Sequence, residues 1–172
     1  MKDVLTLFAR YNQHADDELY SILAKMSEED LTENMGSYFS SIMGLLNHSL
    51  LASINWLNRF KDSSLPFGAL DTPVLDIDNP GFGKALHTTF SELQDHQQKI
   101  DRLFITFIEG LTDSLLQSEV VYRTSSGEEL KRIVWQALLH LFNHQTHHRG
   151  QISQILDSKD IDNDFSGLAA VL

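Results

Sequence analysis

The chain has 172 residues, enough to bury a core and few enough to be read as one domain over residues 1–172. Thirteen Lys and Arg against 24 Asp and Glu leave a formal charge of −11, which opposes docking on nucleic-acid backbones or anionic membranes. There is no cysteine, so disulfides, thiolate metal sites and a cysteine nucleophile are excluded, and any thiol must come from outside.

Apolar spacing of three and four predicts a first helix over residues 2–26, with Leu5, Phe8, Tyr11, Ala15, Leu19 and Ile22 on one face. Ser27 followed by Glu28, Glu29 and Asp30 reads as a cap and a short helical turn. A second helix is expected over 37–61, with a wide apolar arc running from Phe39 and Ile42 to Leu57. All three prolines, Pro66, Pro73 and Pro80, fall between residues 62 and 82, which predicts one long loop there. Gly81-Phe82-Gly83-Lys84 reads as a turn, since an anion-binding loop would want a preceding strand and a third glycine. A third helix is expected over 84–109, stopped by Gly110. Val120-Val121-Tyr122 is β-prone and Ser125-Ser126-Gly127 reads as a turn. A fourth helix is expected over 128–158, on a stripe from Leu130 and Val134 through Leu141 to Ile152 and Ile155. The expected fold is all-α, an antiparallel four-helix bundle with the long loop between helices two and three. No apolar run reaches the ~20 residues of a membrane span, nor does the N-terminus carry one typical of a signal peptide, so a cytoplasmic location is expected.

The histidines carry the chemistry. Four of the eight, His140, His144, His147 and His148, fall in one nine-residue window. His144 and His148 are four apart, which puts both on one face of a helix, and they continue its apolar stripe. Two imidazoles facing a core need a polar partner, and a metal ion supplies it. His48, mid-helix on the stripe of Leu45, Ala52 and Trp56, is the best third ligand. Three neutral imidazoles around a divalent ion leave an open position, where a water or an external thiol is activated. His140 and His147 flank the stripe and read as groups that support the ligands or face solvent. His14 lies at the edge of helix one's face, and His87 and His96 read as solvated. Glu-x-x-His pairs, H-E-x-x-H and G-x-S-x-G are absent, which excludes the di-metal carboxylate bundles, the zincin motif and the hydrolase elbow.

Asn143-His144-Gln145-Thr146-His147-His148-Arg149-Gly150-Gln151 closely resembles the N-H-x-x-H-H-R-G-Q signature of the DinB family, within the DinB/YfiT-like superfamily. Tyr11-Asn12, Gly36-Ser37, Ser41-Ile42, His48, Trp56-Leu57-Asn58-Arg59 and Asp164-Phe165 look like that family's further elements. The resemblance implies a four-helix bundle, often a homodimer, with zinc or nickel on three histidines. By motif these are His48, His144 and His148. It further implies a low-molecular-weight thiol such as bacillithiol or mycothiol as cosubstrate, in transferase or isomerase chemistry on a small molecule. His14 departs from the pattern, standing where the family usually has an aromatic residue.

Two readings follow. In the first the protein is a metal-dependent thiol transferase or hydrolase, with His14 or His147 as general base, imidazole being the side chain that exchanges protons near neutral pH. In the second it is a non-enzymatic stress-response bundle whose metal site is structural or vacant.

Overall fold

The structure is a computed structural model that describes residues 1–81, 83–124 and 126–172. Among these the chain is mostly helical, with one small hairpin. The long helices are α1 (Lys2–Leu23), α3 (Ile42–Lys61), α4 (Phe90–Gly110) and α6 (Val134–Ser158). Two short ones, α2 (Glu28–Thr32) and α5 (Asp113–Gln117), precede α3 and the hairpin. α1 packs on α4 and α6, and α3 packs on the same two. Their apolar stripes meet in one core that includes Leu5, Leu19, Leu50, Ile54, Ile100, Phe104, Leu138 and Leu141.

Several boundaries differ from those the periodicity predicts. α1 ends at Leu23, and α2 begins under the expected Ser27 cap, whose side chain accepts from Asp30 N at 3.1 Å. α3 begins at Ile42 because Ser41 Oγ accepts from Gly44 N, while residues 37–40 form a tight turn with Ser40 at φ 64°. α4 begins at Phe90, capped by Thr89. The preceding residues are pulled out of helix by Asn47, whose Oδ1 accepts from both Leu86 N and His87 N and whose amide donates to His87 O.

The largest correction is at the start of the last helix. Glu129–Ile133 is a strand, β2, antiparallel to β1 (Glu119–Arg123) with Tyr122 opposite Leu130. The spacing of Leu130 and Val134 fits a helix, yet the β-prone 120–122 run needs a partner for its backbone, and 129–133 supplies it. The hairpin ends where Val134 N donates to Ser118 O, and α6 starts there. The expected turns 81–84 and 125–127 include Phe82 and Ser125, which lie outside the described residues. The proline-containing segment is more ordered than a plain loop. It forms two 3-10 turns, Gly68–Leu70 and Pro73–Leu75, and buries Phe67, Leu70 and Leu75 against α3 and α4.

Candidate metal centre

α6 presents His144 and His148 from successive turns, and α3 presents His48 opposite them. His144 Nε2 lies 3.1 Å from His48 Nε2 and 3.1 Å from His148 Nε2. The packing that fixes this register is polar. Buried Gln145 donates to Ser49 O at 2.9 Å and to Ser53 Oγ at 2.7 Å, tying α6 to α3 beside the histidines. Phe39 stacks on the His48 ring at 4.2 Å and meets His148 edge-on at 5.3 Å. Gly44 makes that placement possible, since a Cβ there would lie 1.9 Å from the Phe39 carbonyl oxygen.

The protonation pattern follows from these contacts. Gln151 Oε1 is 2.6 Å from His148 Nδ1, and an amide oxygen only accepts, so Nδ1 carries the proton and the neutral ring's Nε2 is bare. His144 Nε2 faces two other nitrogens, and a single N–H can satisfy only one of them. His144 Nδ1 is buried with no hydrogen-bond partner among the described residues. Burial, then the charge of His148, pulls the His48 pKa down to about 4. Burial, then His148 and His48, pulls His144 down to about 4 as well. His148 is lowered by burial, with Gln151 opposing the shift. At neutral pH the group therefore offers lone pairs, the form a metal requires. A cation bound at about 2.0–2.1 Å in a tetrahedron separates its nitrogens by about 3.3–3.4 Å, close to the spacing found. His48, His144 and His148 thus form a group that could hold a metal ion.

A cavity of about 660 Å³ adjoins the triad, lined by Tyr38, Phe39, Leu45, His147, Gln151 and Ile155 among others. His147 is exposed, its ring 5.0 Å from that of His148. His140 is also exposed, its ring 6.4 Å from His144 and 5.8 Å from Trp56. His14 is half-buried on α1 and lines neither this cavity nor a second one of about 510 Å³ beside Phe8, Trp135 and His140. His87 and His96 are not simply solvated. Both are half-buried, His87 Nε2 lies 2.9 Å from His96 Nδ1, and His96 Nε2 donates to Val74 O. In the sequence Phe39 stands on the apolar arc of the second helix and Gln145 and Gln151 stand within the motif, and none of them is marked there as a site residue. Gln151 stands three residues after His148, one helical turn on, which is the signal that could have found it.

The arrangement defines a class first: a helical protein with a half-buried three-imidazole centre. The sequence matches the DinB family over residues 1–158. It is 24% identical to Protein DinB of Bacillus subtilis (strain 168) over 156 residues, 91% of this chain and 86% of that relative. The chain belongs to the DinB family.

Proposed function

We propose that this chain is a single-domain, four-helix-bundle metalloprotein in which His48, His144 and His148 hold zinc or nickel through Nε2, and that it is an enzyme acting on a small molecule. A bound divalent ion would supply Lewis acidity, lowering the pKa of a low-molecular-weight thiol or a water at neutral pH. The chain's residues prepare that chemistry. Gln151 fixes the His148 tautomer, Phe39 covers the His48 and His148 rings, and His147, exposed beside His148, is the base that takes the proton from the nucleophile. His14, the other candidate base, makes no hydrogen bond or ring contact with the triad among the described residues that would favour it. The observation that carries the reading is the approach of His48 Nε2 and His148 Nε2 to His144 Nε2, each at 3.1 Å, on rings whose pKa burial lowers.

The test is elemental analysis of protein purified without chelator, beside His144→Ala. Stoichiometric zinc or nickel in the parent and background metal in the variant support the assignment. Equal metal in both refutes it. The same reading carries a cytoplasmic homodimer, which light scattering checks for mass. The non-enzymatic alternative predicts a metal whose absorption, after cobalt substitution, does not respond to added thiol.

A further inference from the structure

The cavity beside the triad has a chemical character that the metal centre alone does not specify. Its walls are Tyr38 and Phe39 from the 37–40 turn, Leu45 from α3 and Ile155 from α6, with the amides of Gln151 and Gln154 at their edge. Among the described residues its lining contains no Lys, Arg, Asp or Glu. Lys159, which follows the lining residue Ser158, is already held by Asp30 at 3.0 Å and Glu33 at 2.6 Å. An anion entering there would find no Lys or Arg among the described lining residues, in a chain of net charge −11. A cation would find no carboxylate in the lining. The volume and the mix of aromatic walls with a few amides suit a small organic ligand.

Three of the lining residues also touch the triad. Phe39 stacks on His48, the His147 ring packs on His148, and Gln151 accepts from His148 Nδ1. We propose that this cavity takes an uncharged, largely apolar small molecule, and that Gln151 transmits its occupancy to His148. The ligand class stands on the cavity itself; only its meaning as a substrate rests on the function proposed above.

The test uses three probes with one ring system, 1-naphthol, 1-naphthoate and 1-naphthylmethylammonium, titrated calorimetrically into metal-free full-length protein. Naphthol should bind, and both ions should bind at least about tenfold more weakly, the penalty of an unpaired charge in an apolar site. Gln154→Trp, on the exposed rim, and Ile155→Trp should each abolish naphthol binding by filling the space. In the metal-free protein naphthol should shift the His148 ring resonance, and in Gln151→Ala, compared at saturating naphthol, that shift should be lost. Failure of naphthol to bind, an ion binding as well as naphthol, or indifference to both Trp variants overturns the ligand class. An unmoved His148 resonance, or an equal shift in Gln151→Ala, overturns the coupling. None of these outcomes depends on metal, so a failed metal assignment is recognised separately.

Discussion

His148 and Arg149 are consecutive in α6, both only 5% exposed, and they serve two polar clusters of opposite character. His148 faces α3 and joins the imidazoles. Arg149 faces α1 and α4, where its Nη1 donates to Asn12 Oδ1 at 2.6 Å and Asp16 Oδ1 at 3.1 Å. Asn12 and Gln97 amides then bridge the carboxylates of Asp16 and Asp101. In this second cluster donors meet acceptors, and among the described residues Arg149 Nε is its one buried side-chain atom lacking a hydrogen-bond partner. In the first, His144 Nε2 meets two further ring nitrogens, and one N–H can serve only one of those contacts. Burial of polar groups is common to both; what marks a ligand site is a set of lone pairs that the protein leaves for something else to satisfy.

The comparison breaks most visibly at Arg149. Arg149→Met leaves the Asp16 carboxylate buried with no cation, and about 3–5 kcal/mol of stability should be lost. Urea unfolding measures it, and a loss below about 1 kcal/mol would mean the cluster does not depend on its charge pairing. On the triad's side, Gly44→Ala drives a Cβ into the Phe39 carbonyl. The 37–40 turn must move, costing about 1–3 kcal/mol in thermal unfolding and lifting Phe39 off the His48 ring. Gln151→Ala should weaken metal binding about 10–100-fold while leaving metal-free stability unchanged. A competition titration with a metal indicator reads the first effect and a thermal melt the second.

These effects also show which parts of the molecule could be read in advance. The pairing of His144 with His148 is a local property of helical spacing, and the position of His48 on an apolar stripe made it a reasonable third member. The Asp16–Arg149–Asp101 cluster was not legible, because it exists only once α1, α4 and α6 are side by side. β2 was missed for the same reason: Leu130 and Val134 satisfy a helical period, and only pairing with residues 119–123 decides otherwise. His87 and His96 look solvated in a sequence because nothing local reveals that Asn47, forty residues before His87, holds its backbone.

Acid separates the two clusters by sign. For His48 and His144 the folded pKa lies near 4, below the ordinary value of 6.5, so the unfolded chain binds protons first. Above pH 6.5 these groups contribute nothing to the pH dependence, and from there to pH 4 they destabilise the metal-free fold progressively. Asp101 runs the other way. Burial, and next to it the Asp16 carboxylate, raise its pKa well above 3.8, so the folded state binds the proton first. Its share of stability therefore grows as pH falls through the folded value toward the unfolded one. Melting temperatures of metal-free protein between pH 7 and 4 should fall, and His48→Gln should flatten the decline.

The smallest effect at neutral pH is expected at Asp101. Its Oδ1 accepts from two neutral amides, Asn12 Nδ2 at 3.1 Å and Gln97 Nε2 at 2.9 Å, while the guanidinium is engaged by Asp16. Burial raises the Asp101 pKa and so favours the neutral carboxyl, which has nearly the shape and charge of a carboxamide. Asp101→Asn should therefore cost about 1 kcal/mol or less at pH 7, whereas Asp16→Asn strands the Arg149 charge and should cost several times more. The pH dependence makes the distinction sharper than either value alone. Holding a proton on a buried acid grows more costly as pH rises, and asparagine is spared that cost. The stability of Asp101→Asn relative to the parent should thus improve in urea unfolding as pH rises from the unfolded pKa toward the raised folded one. A difference that moves in the opposite direction would mean Asp101 is an ionised partner of Arg149, and the cluster would then hold two anions against one cation.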